Sequence, residues 1–194
     1  WALKLQPNDP ASRHFLAVAR GEPAASAEPA YVKSLFDRYA ERFEQSLVDD
    51  LGYRIPGELA EMLRQGNADL SEVLDLGCGT GLVAKALAGD AAAIDGVDLS
   101  PRMLAIARGS DRYRTLYEAD LVEFLQTSAT TYGTAVAADV LVYAGDLNRF
   151  LSALGRRLRA GGCFAFSIEL AEGDPWSLNA KTGRYQHNPA AVDR

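Results

Sequence analysis

Cysteine is nearly absent. The chain has two in 194 residues, one inside a glycine-rich turn (Cys78) and one on a predicted strand (Cys163), so no disulfide framework is built. No stretch reaches the ~18 consecutive apolar residues that a membrane helix needs, and no signal-peptide pattern is visible, which makes a reducing cytoplasm the simplest expected compartment. Positive charge is scarce as well. The net charge is −6, and the densest basic cluster, Arg156-Arg157-Leu158-Arg159, is expected at a helix end, where it complements the dipole rather than offering a nucleic-acid surface. What the chain does have is apolar content, 48% of its residues, enough for one domain with a full core.

That content is punctuated most sharply at Val73-Leu74-Asp75-Leu76-Gly77-Cys78-Gly79-Thr80-Gly81. Residues 73–76 read as a strand buried on both faces, and Leu82-Val83-Ala84-Lys85-Ala86-Leu87 continues with helical spacing. A glycine turn between a buried strand and a helix N-terminus lets a ligand approach the main chain closely and offers it free N–H donors. In open α/β sheets ligands bind at such carboxyl ends of strands. A dinucleotide fingerprint would place a third small residue where Leu82 stands, so the turn is a poor phosphate clamp.

Further acids recur at predicted strand ends. Ala93-Ile94-Asp95-Gly96-Val97-Asp98 places Asp98 about 20 residues after the turn, where an acid can accept bonds from two ribose hydroxyls. Ser100-Pro101 then supplies an N-cap and a first-turn proline. Tyr117-Glu118-Ala119-Asp120-Leu121 repeats the arrangement, Ala135 to Tyr143 forms a fourth apolar segment through Ala138 and Asp139, and Leu158 to Ser167 reads as a Gly-Gly turn and fifth strand.

Taken in order, these five segments resemble the motifs of the class I S-adenosylmethionine (SAM) dependent methyltransferases. Ala160 stands where the family's last motif usually has proline. The resemblance implies an α/β, Rossmann-like sheet of order 3-2-1-4-5. It also implies a cofactor site of Asp75, Gly77, Cys78, Gly79, Thr80, Gly81, Asp98, Leu99, Met103, Asp120, Leu121, Ala138 and Asp139, with Asp98 on the ribose and Asp120 facing the adenine amino group. The family's terminal strands 6 and 7 have no counterpart here, since residues 171–194 carry only loop signals.

Upstream, Val32, Leu35, Phe36, Tyr39, Phe43 and Leu47 form one apolar stripe of an amphipathic helix. Phe36-Asp37-Arg38-Tyr39-Ala40-Glu41-Arg42-Phe43 resembles a segment that covers the cofactor's methionine end in small-molecule methyltransferases, which makes Tyr31 and Tyr39 candidate lid residues; packing in the core is the competing reading. A second helix, Pro56 to Arg64, shows no site. Residues 21–30, rich in Pro, Ala and Ser, read as a linker. Trp1 to Pro10 resembles the tail of a tetratricopeptide repeat, so residues 1–20 are expected to be a helical remnant with a protein partner, and both ends of the chain are expected to be incomplete.

The expected domain thus runs from 31 to 170. The expected activity is methyl transfer to a small molecule of undefined identity, with a SAM-sensing module or a nicotinamide-dependent oxidoreductase as the other readings. No metal is implied. Candidate bases beside the cleft are Asp139, Tyr143, Glu169 and His187, although a solvated position on the 182–187 loop is the plainer reading of His187; His14 is expected at the surface.

Overall fold

The structure, a computed structural model, describes residues 8–20, 24–44 and 52–192. Five parallel strands make the central sheet: β1 (Val73–Leu76), β2 (Ile94–Asp98), β3 (Thr115–Glu118), β4 (Tyr132–Ala137) and β5 (Leu158–Phe166), in the order β3-β2-β1-β4-β5. That is the expected order. All four residues of β1 and all six of β4 are buried, which explains why both read as short unalternating apolar runs.

Side chains of alternate strand residues feed two cores. Leu74, Leu76, Val97, Ala135 and Ala137 face α6 (Leu121–Thr127) and α7 (Asn148–Gly155). Val73, Ile94 and Val136 face α3 (Ile55–Gln65) and α4 (Leu82–Ala86). Leu74 and Leu76 are wholly buried, each contributing roughly 1.5–3 kcal/mol. Asp75 and Gly96 are register partners on the α4 side, so the one acid inside β1 points into a core. Asp95 is also buried, but it holds a bidentate Arg114 at 2.9 and 2.6 Å and the Tyr132 hydroxyl at 3.0 Å, and is structural.

The basic cluster starts at a helix end, as expected, since Arg156 is the C-cap of α7, but Leu158 already begins β5 and Arg159 pairs with Glu72.

Residues 171–194 do more than the expected loop. β6 (Glu169–Leu170), β7 (Trp176–Leu178) and β8 (Tyr185–His187) form a second sheet of order β6-β8-β7, followed by α8 (Pro189–Val192). Strands of two or three residues are too short to show a period in sequence. This sheet presses on Gly145, where a Cβ would lie 2.7 Å from Trp176 and 2.8 Å from Tyr185.

The expected linker is likewise docked over the part that is described. Ser26 bridges Ala144, Ala27 N–H donates to Tyr143 O at 2.8 Å, and Gly145 and Asp146 donate to Ala25 O. Small side chains suit this strap because it runs flush against the β4–α7 connection. Residues 1–7, 21–23 and Leu47 lie outside the described residues, so the repeat tail and the last position of the stripe are not located.

Ahead of α3 the described residues form α1 (Pro10–Arg20) and α2 (Pro29–Tyr39), and a 3₁₀ turn, Ala40–Arg42, ends the second. The single amphipathic helix expected from Val32 to Leu47 is therefore interrupted after Tyr39.

Candidate active site

Each glycine of the turn after β1 takes a positive φ: 68° at Gly77, 53° at Gly79 and 99° at Gly81. The alternate spacing in sequence is thus a conformational requirement, since L side chains strain in that region. The surroundings differ. A Cβ at Gly77 would sit 2.5 Å from Val140 Cγ2, whereas at Gly79 it would meet Phe43 Cε1 at 3.9 Å and nothing nearer among the described residues. Gly79 is therefore the open point of the turn. Its N–H donates to Asp98 Oδ2 at 2.9 Å, while Gly77 and Cys78 N–H donate to Val97 O at 2.8 and 3.0 Å. The turn is tied to the end of β2 and cradles a space at Gly79.

Two buried oxygens at the turn, Thr80 Oγ1 and Asp75 Oδ1, have no hydrogen-bond partner among the described residues. Unpaired buried oxygens are costly, and here both belong to the Asp75–Thr80 stretch that ends β1 and enters the turn. Desolvation drives Asp75 up to about 7, with the Tyr113 hydroxyl bond pulling it down and the Asp98 charge pushing it further up. Cys78 is buried and its thiol pushed well up by desolvation, which makes it an inert part of the turn rather than a nucleophile.

Asp98 lies where the sequence places it. Oδ1 accepts from Ser100 N–H at 2.8 Å and Oδ2 from Gly79, and each oxygen keeps lone-pair capacity for a second donor. Burial raises its pKa against the pull of those N–H donors. Ser100 caps α5 (Pro101–Arg108), accepting from Met103 N–H. Leu99 is half-buried beside it, but Met103 is fully buried, so its side chain packs the core. Asp120 caps α6, its Oδ1 accepting from Val122 and Glu123 N–H at 2.9 and 3.1 Å, with Leu121 half-buried next to it.

The α2 segment crosses this edge of the sheet. Asp37 accepts from the Ser100 hydroxyl at 2.6 Å, Lys33 reaches Glu118 at 2.6 Å, and Arg102 pairs with Glu41. Phe43 then comes over Gly79, packing edge-on against Phe36 and Tyr39, with ring centroids 6.1 and 5.8 Å away. Tyr31 belongs elsewhere: it is buried against Ala27 and Tyr185 and stacked on His14 at 4.4 Å. His14 is correspondingly buried rather than exposed, its ring Nε2 3.0 Å from Gly183 O. Tyr39 stays in the aromatic cluster beside Phe43; Tyr31 joins the packing of the two helices.

On the other side of the turn, beyond β4, Ala138 is half-buried and Asp139 holds a positive φ of 61°, a conformation that Asp tolerates better than most residues. Its N–H donates to the Ser167 hydroxyl at 2.8 Å, and its carboxylate pairs with Arg184 at 2.8 Å. Arg184 Nε is also 3.0 Å from Glu169. Burial pushes Tyr143 up to about 12 and Tyr53 higher still, so both phenols stay protonated at neutral pH. Phe36 packs against Tyr143 at 5.6 Å, which joins α2 to the segment after β4.

His187 is not a solvated loop residue. It is buried at 1% exposure with Nε2 3.2 Å from Leu141 O, an orientation in which the ring anchors β8 to the segment after β4.

Four residues were missed by the sequence reading: Asp37, Tyr53, Tyr113 and Arg184. Asp37 sits inside the lid motif and was recoverable from it. Arg184 arrives through a β7–β8 turn with no signal of its own.

Residues 74–164 match the family model described as a methyltransferase domain. A ubiquinone biosynthesis O-methyltransferase of Methylocella silvestris is 33% identical over 115 residues, 52% of this chain and 45% of that protein. A dTDP-3-amino-3,6-dideoxy-alpha-D-glucopyranose N,N-dimethyltransferase of Streptomyces fradiae is 33% identical over 72 residues, 37% of this chain and 28% of that protein. The match thus spans less than half of each of these relatives. The fold is shared with the DhpI–SAH complex, where SAH is S-adenosylhomocysteine: TM-score 0.63, 24% identity, 83% of this chain and 81% of that one. It is shared too with the SAM-bound magnesium protoporphyrin IX methyltransferase of Synechocystis PCC 6803, at TM-score 0.61 and 19% identity, over 88% of this chain and 85% of that one.

Proposed function

We propose that this chain, which carries a methyltransferase domain in the class I fold, binds S-adenosylmethionine at the Gly77–Gly81 turn and transfers its methyl group to a small-molecule acceptor. One observation carries the reading: the open glycine of the turn, Gly79, is hydrogen-bonded to the strand-end acid Asp98, with the unpartnered oxygens of Asp75 and Thr80 alongside. A cationic, amino-acid-bearing nucleoside suits a cradle made of backbone N–H groups and carboxylates. Bound there, SAM supplies an electrophilic methyl group on a sulfonium.

The chain's own residues supply position. Asp98 accepts the ribose hydroxyls, the turn at Gly79 takes the methionyl part, and the Asp120–Leu121 strand end faces the adenine. Phe43 and Tyr39 cover the turn and exclude water. Alignment of a bound nucleophile can supply about 7–11 kcal/mol of the barrier, so no dedicated base is required for an amine. For a hydroxyl acceptor the proton goes to Asp139 or Glu169, the two carboxylates that share Arg184, because the Tyr143 and Tyr53 phenols are held protonated and act as donors.

The acceptor atom stays open within this proposal. One relative is named for O-methylation and another for N,N-dimethylation. The tetratricopeptide likeness of residues 1–20 and a protein partner there belong to the same proposal, supported by the amphipathic helix α1 packed on α2. Among the described residues no helix is long and apolar enough to cross a membrane. Mass spectrometry of ligands released from the purified protein tests the reading: SAM or SAH at near-stoichiometric yield is expected, and a nicotinamide dinucleotide would replace it with an oxidoreductase.

A further inference from the structure

Tyr113 belongs to the polar Asp111-Arg112-Tyr113-Arg114 segment ahead of β3, where a tyrosine would ordinarily lie on the surface. Instead its ring passes between the glycine turn and β2. A Cβ at Gly81 would lie 3.2 Å from its Cε2, and a Cβ at Gly96 would lie 2.8 Å from its Cε1 and 2.9 Å from Cys78 Sγ. Two glycines on different elements thus leave the slot the phenol fills. At the end of the slot the hydroxyl donates to Asp75 Oδ2 at 2.7 Å, and among the described residues Asp75 Oδ1 has no hydrogen-bond partner. One oxygen of the acid inside β1 is therefore fixed, and the other is left without a partner among the described residues.

We propose that Tyr113 is a positioning residue of the cofactor site: wedged through the gap left by Gly81 and Gly96, its hydroxyl fixes the Asp75 carboxylate beneath the glycine turn, with Oδ1 kept for the cofactor. The proposal rests on the reading that SAM binds this turn. Its chemistry is electrostatic, since SAM carries a sulfonium and an ammonium group and gains from an ionised Asp75. The groups that bear on that ionisation are Tyr113 from the segment ahead of β3, Cys78 from the turn, Asp98 from the end of β2 and Tyr53 from the segment ahead of α3. Desolvation holds Asp75 near 7, and the Tyr113 bond is the one contact that lowers it. Without that bond the acid stays neutral to higher pH, and a neutral acid attracts a cation less.

Calorimetric titration of the purified chain with SAM between pH 5.5 and 8.5 reads this directly. In the wild type, affinity is expected to rise with pH through the titration of Asp75. Tyr113→Phe keeps the ring in its slot and removes only the hydroxyl; it should weaken SAM binding about 5- to 20-fold at pH 7, the loss of one bond to a charged group, and move the midpoint of the pH profile upward. Asp75→Asn should bind weakly and without pH dependence in this range, and it tests the same contact if the phenylalanine variant fails to fold. A Tyr113→Phe profile that superimposes on the wild type, or an Asp75→Asn profile that keeps the wild-type pH dependence, overturns the assignment. A wild type that binds no SAM at any pH overturns the SAM reading and the proposal with it.

Discussion

Replacing Asp75 by asparagine should make the ligand-free protein more stable at pH 8 and not at pH 4. The carboxylate is buried at 1% exposure inside β1, with one oxygen paired to Tyr113 and the other unpartnered. Its pKa stands near 7 instead of 3.8, and three units at about 1.4 kcal/mol each make on the order of 4 kcal/mol. The sign follows from proton binding. Between pH 4 and 7 the folded state keeps a proton that the unfolded chain has released, so stability falls as pH rises through that window and is flat above it. Asparagine carries no charge to desolvate, but it places an amide N–H₂ where an unpartnered oxygen stood, at a cost of roughly 1–3 kcal/mol. The net gain at pH 8 is then about 1–3 kcal/mol, or roughly 2–10 °C in melting temperature for a chain of this size. Thermal unfolding followed by circular dichroism from pH 4 to 8 measures it. A variant whose melting temperature differs from wild type by the same amount at both ends of the range would refute the reasoning, because the difference would then have nothing to do with ionisation. Retaining a carboxylate at such a cost is expected where a site needs charge more than the fold needs stability.

Two further predictions concern the turn and its cover. Gly79→Val should abolish SAM binding in a folded protein, as judged by equilibrium dialysis and circular dichroism, because the valine takes the space the ligand needs and strains a φ of 53°, while Phe43 at 3.9 Å leaves the fold room for it. Residues 29–44 should exchange amide hydrogens more slowly with S-adenosylhomocysteine than without it, since most of that segment is only half-buried; equal, strong protection in both states would make α2 a packing element alone.

The parts of this molecule that were legible in the sequence are those whose signal is local. Val73–Leu76 and the glycines after it specify a buried strand and a positive-φ turn within nine residues, and Ser100-Pro101 announces its helix. The strand order then follows from right-handed connections between alternating elements. Asp98 was placed correctly because its position is a strand end that the pattern marks. What escaped depends on distant pairs. Tyr113 is legible only once Gly81 and Gly96 are known to face each other, and Arg184 only once the β7–β8 turn is folded onto Asp139. His187 and His14 were misjudged for the same reason: each sits in a polar segment that tertiary contacts, to Leu141 O and Gly183 O, draw inside. The strap at residues 24–28 shows the converse, since a composition that forms no element of its own still docks when its backbone finds partners.

The central claim is that Asp98 and the glycine turn hold S-adenosylmethionine, and titration calorimetry with the wild type and Asp98→Ala tests it most directly. The account predicts one SAM site in the wild type, no binding of NADH, and an affinity reduced roughly 10- to 150-fold in the variant, the loss of a charged hydrogen bond of about 1.5–3 kcal/mol. Equal affinity for SAM in both proteins, or no heat of binding with SAM in the wild type, would contradict it.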